Sequence, residues 1–348
     1  MTGWLKKHGG KELPFSVWRK PAKRSGNRNA RILHNEKLET EWFKKHEITL
    51  EPPLVSDHVQ TVRVNPHALS PFGYNGSVIE WNQRRLLAYR WHRDGLNTVL
   101  AIADLDANYN VTNNKGVTGE LKSLEDPRLF LFNNELWISY VQSDWPRNPT
   151  CVTKYGKLVD HGKEWQIENV QHPKHGLNDG TALEKNWCPF VHDGKLHYLY
   201  TSNPHQSIIE MSGGNVTNVH HSDMPYWPWG QIKGGVVAAT PYNGHLLRFF
   251  HSRLDNEPSP YPWRYYIGAA MLEPTPPFKT VAVSREPIVR ASALDHYSQA
   301  ERNKCLHYKT KIVFPSGLIE VGAEWHLSAG INDSAIEILK LKESDLKL

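Results

Sequence analysis

Two clusters of charged and polar side chains open two successive segments of this chain in the same way. Glu125-Asp126-Pro127-Arg128 runs into the apolar stretch LFLFNNELWISYV, and Glu184-Lys185-Asn186-Trp187-Cys188-Pro189 runs into FVHDGKLHYLYTS. A carboxyl group such as Asp126 can give a proton to a leaving oxygen or take one from an incoming oxygen. Lys185, Asn186 and Arg128 could meet an anion or a hydroxyl. A turn carboxylate that bonds its own backbone would carry the same residues as Asp126, and a lysine ahead of a strand often only snorkels. The repetition of the pattern favours a shared pocket. Pro127 fixes φ and removes a donor, which suits the head of a strand.

Further candidates stand at comparable places. Asn65 and Arg90 hold them in the segment VRVNPHALSPFGYNGSVIEWNQRRLLAYRW, and His205 and His251 close second strands in later segments. Arg147, after the second segment, could contact an anion. Trp187 suits either a core or a stacking face for a sugar, and Asp333, in Gly-Ile-Asn-Asp, reads as a turn or rim residue. The chain carries no phosphate-binding glycine loop, dinucleotide fingerprint or HExxH spacing, so neither cofactor nor metal is expected.

The elements that must position these groups read as strands. From about residue 60 the text is short apolar runs separated by polar turns such as Asn82-Gln83, Asn133-Asn134, Asp193-Gly194 and Asn243-Gly244. Segment starts recur at about sixty, sixty, fifty and seventy-five residues, long for a short-motif repeat but compatible with four-stranded units and variable loops. The pattern predicts an all-β chain: a five-bladed β-propeller over 59–348, with polar groups at the head of one strand per blade aimed into an axial pocket. Residues 1–58 form a basic N-terminal arm. Short helices are expected at 38–47 (LETEWFKKHE) and 296–309 (HYSQAERNKCLHYK).

Composition narrows the classes. The 348 residues carry a net charge of +5, with 13 Trp and 14 Tyr. Nine Lys/Arg against one acid fall within residues 1–31, a solvated tail or a segment that meets a polyanion such as nucleic acid. No apolar run reaches membrane-spanning length and the first residues lack a signal-peptide core. Three widely spaced cysteines argue against a disulfide framework and for a reducing, cytoplasmic setting.

Several stretches, in order, resemble the five-bladed propeller family of inverting β-mannoside phosphorylases and hydrolases and the mannosyltransferases that share its fold. Glu-Asp-Pro-Arg resembles the family signature whose aspartate is the catalytic acid, here Asp126. KGGVVAATPYNGHLLRFFHS resembles a glycine-rich run ending in a histidine, here His251. YYIGAAMLE resembles its tyrosine-led strand, here Tyr265-Tyr266, and IVFPSG followed by SAGIND its closing blade. The resemblance covers roughly residues 65 to 345. It implies a carbohydrate-active enzyme with Asp126 as acid/base, and Asn65, Arg90, Glu125, Arg128, Arg147, Lys185, Asn186, His205, His251 and Tyr266 around the substrate. The third-blade strand that carries an arginine toward phosphate in the phosphorylases ends here Tyr200-Thr201-Ser202-Asn203-Pro204-His205, without one. A single acid/base carboxylate needs a self-sufficient second reactant, which phosphate or a nucleotide sugar provides. The expectation is therefore inverting sugar transfer from a nucleotide sugar or sugar phosphate to a glycan. The alternatives are a β-mannoside phosphorylase or hydrolase, and a non-catalytic propeller that binds glycan or nucleic acid.

Overall fold

The structure is a computed structural model that describes residues 59–65, 68–69, 73–94, 97–118, 123–143, 151–177, 184–203, 205–255, 263–291, 311–333 and 335–348. The basic arm, Arg147, Cys305 and the two expected helices lie outside them. Among the described residues the only helical element is a single 3-10 turn at Glu343–Asp345.

The strands form successive antiparallel meanders. After β1 (Gln60–Arg63), the first meander is β2 (Tyr74–Trp81), β3 (Arg84–Asp94), β4 (Asn97–Leu105) and β5 (Val111–Thr118), and the second is β6 (Leu124–Phe132), β7 (Glu135–Ser143), β8 (Cys151–Asp160) and β9 (Trp165–Gln171). A short parallel pairing of Val117 with Trp165 and Thr118 with Gln166 joins them into one eight-stranded sheet. The third meander is β10 (Cys188–His192), β11 (Lys195–Thr201), β12 (Gln206–Ser212) and β13 (Asn215–Ser222). The fourth is β14 (Gln231–Val237), β15 (Leu246–Asp255), β16 (Trp263–Leu272) and β17 (Thr280–Val283), with β18 (Val289–Arg290) also pairing β16. The last is β19 (Val313–Val321), β20 (Glu324–Ile331) and β21 (Ala335–Leu341).

Hairpin chemistry builds these meanders. The two residues of each expected turn, Asn82-Gln83, Asn133-Asn134, Asp193-Gly194 and Asn243-Gly244, all have positive φ between 48° and 78°. That is the conformation whose twist matches the flanking strands, and Asn, Asp and Gly adopt it most readily.

β1 pairs with β21, Gln60 opposite Lys340 and Arg63 opposite Glu337, and Arg63 Nη2 lies 3.0 Å from Glu337 Oε1. The run Val62-Arg63-Val64, expected in the first unit, thus belongs to the last sheet. Strand propensity does not say which edge a strand covers; pairing the start of the described chain with its end removes an exposed edge.

The first strands of the meanders, β2, β6, β10, β14 and β19, contact one another in succession, and β19 returns to β2. The result is an all-β, nearly closed arrangement. Its core lies between neighbouring sheets. Leu86 and Ile102 meet Ile138 and Trp165; Tyr155 meets Tyr198 and Ile209; Phe190 and Ile208 meet Leu246 and Phe278; Phe249 and Ile267 meet Leu327 and Leu339; Leu87 and Tyr89 meet Ile336 and Ile338. Truncating a fully buried member such as Phe249 to Ala costs about 3–5 kcal/mol.

Candidate active site

The inner strands are interrupted near their heads, and the interruptions build the site. Register shifts fall between Tyr74 and Ser77 in β2, Glu125 and Arg128 in β6, Ile232 and Gly235 in β14, and Pro315 and Gly317 in β19. Such bulges insert an unpaired residue and re-aim its side chain. Asn75 and Asp126 sit in two of them, each at φ 51°, a left-handed conformation that Asn and Asp tolerate better than other side chains. Pro127 fits the unpaired position because it has no N–H to lose. Asn186, just ahead of β10, also has a left-handed φ of 68°.

These bulges bring Asn75, Asp126 and Asp333 together. Asn75 Nδ2 donates to Asp126 Oδ1 at 2.9 Å and to Asp333 Oδ1 at 3.0 Å. Arg90, on β3, places Nη1 3.1 Å from Glu125 Oε2 and 3.4 Å from Asp126 Oδ1, and Nη2 3.7 Å from Asp333 Oδ1. Ser143 Oγ donates to Glu125 Oε1 at 3.0 Å. Every hydrogen bond and ion pair of Asp126 among the described residues meets Oδ1, so Oδ2 has no polar partner among them. Burial works against the Arg90 charge, but Tyr74, Asp126, Glu125 and Asp333 together hold its pKa well above the ordinary value. Arg90 also lies 4.5 Å over the Tyr74 ring, whose hydroxyl is 2.7 Å from His92 Nε2. Burial raises the Tyr74 pKa, with Arg90 opposing.

Gly330, on β20, makes room for this cluster. A Cβ there would stand 1.9 Å from Asn75 Oδ1 and 2.9 Å from Asn75 Cα.

Cations gather on the fourth sheet. Lys233 lies in the β14 bulge, and its pKa is lowered by burial and then by Arg253 and Lys185. Arg253 Nε is 3.0 Å from Asp255 Oδ1. His251 is fully buried and stacks on Tyr265 with centroids 5.5 Å apart and planes 2° from parallel. Burial, then Arg128, Arg248 and Lys233, push His251 well below the imidazole range, so its ring is neutral. Burial pushes the Tyr265 hydroxyl up to about 12, and Asp333 and Asp126 add to the shift.

Of the residues singled out in the sequence, the structure brings together Arg90, Glu125 and Asp126, with Lys185 exposed, Asn186 half-buried and His251 buried near the Lys233 bulge. Arg128 goes elsewhere. It is buried between inner strands, where Nη1 donates to the carbonyls of Gly235 and Pro315 and the guanidinium lies 4.9 Å over Phe314. It ties β6 to β14 and β19. Tyr266 is fully buried, 5.5 Å from Trp229. Successive strand residues face opposite sides, so Tyr265 is the tyrosine that joins His251. His205 is exposed and paired with Asp223 at 3.2 Å. Asn65 is exposed, and its carbonyl accepts from Ala68 N at 3.2 Å. Arg147 lies outside the described residues. Sequence reasoning missed Asn75, Lys233 and Arg253, and placed Asp333 only at the rim.

Neither a family model nor a curated protein sequence matches the chain. Solved structures do. A β-1,2-mannobiose phosphorylase from Listeria innocua, in complex with β-1,2-mannobiose, superposes with TM-score 0.55 at 15% identity, covering 85% of this chain and 94% of that one. A GDP-Man-dependent mannosyltransferase from Leishmania mexicana gives 0.53 at 12%, covering 88% and 95%. A mannose phosphorylase from Leishmania mexicana, in complex with phosphate ion, gives 0.53 at 13%, covering 89% and 93%. The chain shares their fold. The resemblance read from the Glu-Asp-Pro-Arg, His251, Tyr265-Tyr266 and closing-strand motifs is met at that level, and the fold is of propeller type. No helix among the described residues is long and apolar enough to cross a membrane.

Proposed function

We propose that the chain is a carbohydrate-active enzyme that transfers a sugar with inversion between a glycan and a phosphate-bearing partner, with Asp126 as the single acid/base. The architecture we assign to it is a five-bladed β-propeller whose inner strands are β2, β6, β10, β14 and β19. The observation that carries the reading is the placement of Asp126: bulged out of an inner strand, held at Oδ1 by Asn75 and Arg90, and without a polar partner at Oδ2 among the described residues. In the transfer direction Oδ2 takes the proton of an acceptor hydroxyl as that oxygen attacks the anomeric carbon. The bond from the anomeric carbon to the phosphate oxygen breaks, and its electron pair leaves on the phosphate. In the opposite direction protonated Asp126 gives its proton to the departing glycosidic oxygen while a phosphate oxygen attacks. Both directions invert the anomeric centre, and neither needs a second carboxylate as nucleophile.

Two donors fit this chemistry. A nucleotide sugar, expected because the third meander lacks an arginine after Tyr200, makes the protein a glycosyltransferase. Free phosphate makes it a β-mannoside phosphorylase, a reading favoured equally by the cations Lys185, Lys233 and Arg253. Mannose is the sugar we assign, since the mannobiose phosphorylase, the mannosyltransferase and the mannose phosphorylase all handle it. The test is a pair of reactions: GDP-mannose with mannose or a mannoside as acceptor, and β-1,2-mannobiose with phosphate. Release of GDP in the first supports transfer, formation of mannose 1-phosphate in the second supports phosphorolysis, and turnover in neither contradicts the proposal.

A further inference from the structure

Glu184 stands directly before Lys185, is buried, and has no part in the chemistry above. A carboxylate so placed is costly unless hydrogen bonds hold it. Tyr200, near the end of β11, donates its hydroxyl to Glu184 Oε1 at 3.2 Å, and His175 Nε2 lies 3.5 Å from the same oxygen. The tautomer of His175 follows from its other nitrogen. Leu177 N donates to Nδ1 at 2.9 Å, so Nδ1 carries no proton and the neutral ring presents Nε2–H to Glu184. Burial lowers the pKa of His175, in keeping with a neutral ring, and raises that of Glu184. The His175 ring packs on both Tyr200 and Trp187, with centroids 4.9 Å and 5.1 Å away.

The backbone of Glu184 is tied to a different sheet. Its N–H donates to the Cys151 carbonyl at 3.0 Å, and its own carbonyl accepts from Thr153 Oγ1 at 3.0 Å. Cys151 and Thr153 lie on β8, in the sheet that carries Asp126, whereas Tyr200 lies in the separate third sheet. Glu184 is therefore a joint between the two. A polar path leads from it to the acid/base. Cys151 pairs with Ser143 across β8 and β7, Ser143 Oγ donates to Glu125 Oε1 at 3.0 Å, and Glu125 shares Arg90 with Asp126. Burial raises the pKa of the Cys151 thiol, Lys185 lowers it, and Glu125 and Asp126 raise it. The joint thus lies within electrostatic reach of both Lys185 and the acid/base cluster.

We propose that Glu184 is a positioning residue: clamped by Tyr200 and His175, it fixes the Lys185-Asn186 turn against the sheet that carries Asp126. The inference rests on the proposed function, in which Lys185 serves the anionic reactant, and adds the group that sets the place of that turn. The turn needs such a hold. Asn186 has a left-handed φ of 68°, a conformation that persists only where its surroundings impose it.

The experiment follows whichever reaction the wild type performs, for Glu184→Ala, Glu184→Gln, Lys185→Ala and the double variant Glu184→Ala/Lys185→Ala. Glu184→Ala should raise KM about tenfold, the worth of a buried hydrogen-bonded anchor, with kcat changed less, because the turn holds a reactant in ground and transition states alike. Glu184→Gln keeps the acceptor at Oε1 and should recover most of the loss. The double variant should lose little more than Lys185→Ala alone, because Glu184 acts through that turn; a merely structural role makes the two losses additive. Hydrogen exchange read by mass spectrometry needs no substrate. In Glu184→Ala the peptide covering residues 184–192 should exchange several-fold faster, with β19 and β20 unchanged. If Glu184→Ala does not fold, Tyr200→Phe, which removes one hydroxyl of the clamp, should give a smaller rise in KM of the same kind. Unchanged KM or unchanged exchange in Glu184→Ala, or additive losses in the double variant, overturns the assignment. The proposed function falls separately, when Asp126→Asn keeps wild-type turnover or the wild type performs neither reaction, and the exchange result then decides the clamp.

Discussion

Substituting Gly330 by Ala tests how tightly the proposed catalytic cluster of Asn75, Asp126 and Asp333 is held. Gly330 lies on β20, in the sheet that packs directly against Asn75 on β2, and is assigned no contact with a reactant. Its added Cβ would stand 1.9 Å from Asn75 Oδ1 and 2.8 Å from Asn75 Cγ, well inside contact distance. The Asn75 backbone is also close, at 2.9 Å from its Cα, so a side-chain rotation alone does not clear the clash. Either Asn75 or β20 must move by about 1 Å. Asn75 Nδ2 is the shared donor to Asp126 and Asp333, so the move takes Asp126 out of place. A displacement of about 1 Å at a catalytic group costs roughly 10²-fold in rate, and overpacking a buried position costs about 1–3 kcal/mol of stability. Gly330→Ala is therefore expected to fold, to melt several degrees lower, and to lose roughly 10²-fold in kcat/KM. A double-mutant cycle with Asn75→Ala separates the causes. With the Asn75 amide gone, Gly330→Ala should cost much less further activity, because the two residues act through one contact. Wild-type activity in Gly330→Ala at wild-type stability would refute the reasoning, as would full additivity in the cycle.

Other outcomes follow from the same geometry. Proton NMR of the first-formed product should show inverted anomeric configuration; a trapped glycosyl-enzyme adduct would contradict a mechanism with one acid/base carboxylate. Tyr265→Phe should impair binding of the anionic reactant more than Tyr266→Phe does, measured as KM, because the Tyr265 hydroxyl interacts with Arg253 whereas Tyr266 is fully buried against Trp229. Burial holds His197 down at about 4, so the unfolded chain takes up its proton more readily than the folded one. The stability this neutral ring contributes is present above the ordinary imidazole range near 6.5 and is lost as pH falls toward 4. Melting temperatures across that window should fall, and His197→Gln should flatten the fall.

The strands were legible because each carries its own signal: apolar runs closed by Asn-Asn, Asp-Gly or Asn-Gly turns. The placement of Asp126 was legible because a carboxylate before Pro at the head of a strand marks an interruption of the ladder, and the structure has a bulge there. Asn75 was not, because Asn-Gly in an apolar run reads as a hairpin turn, whereas here Asn75-Gly76 is a bulge within β2. Its role depends on Gly330, some 255 residues away, a distance no local pattern spans. The pair Tyr265-Tyr266 is ambiguous in sequence because a single strand's alternation gives two faces without saying which meets the pocket; it is Tyr265 that stacks on His251. Arg128 stands in a motif that reads as a contact to substrate, yet the inner-strand carbonyls of Gly235 and Pro315 claim its Nη1. Lys233 and Arg253 were hidden for a similar reason, since their proximity is set by the register of β14 on β15. Asp333 looked like a turn residue, and it is one; the turn happens to sit beside the heads of the inner strands.

The measurement that tests the central claim most directly is turnover by Asp126→Asn. The swap is nearly isosteric, and Asn75 and Arg90 remain in place to hold the new side chain. GDP release from GDP-mannose with a mannoside acceptor, and mannose 1-phosphate formation from β-1,2-mannobiose and phosphate, would be followed for wild type and variant at matched folded concentration. The account predicts that whichever reaction the wild type performs falls by about 10²-fold or more in the variant, the usual weight of a general acid/base, with the melting temperature nearly unchanged. Activity within threefold of wild type would remove Asp126 from the chemistry and leave only the fold in common with the mannoside enzymes.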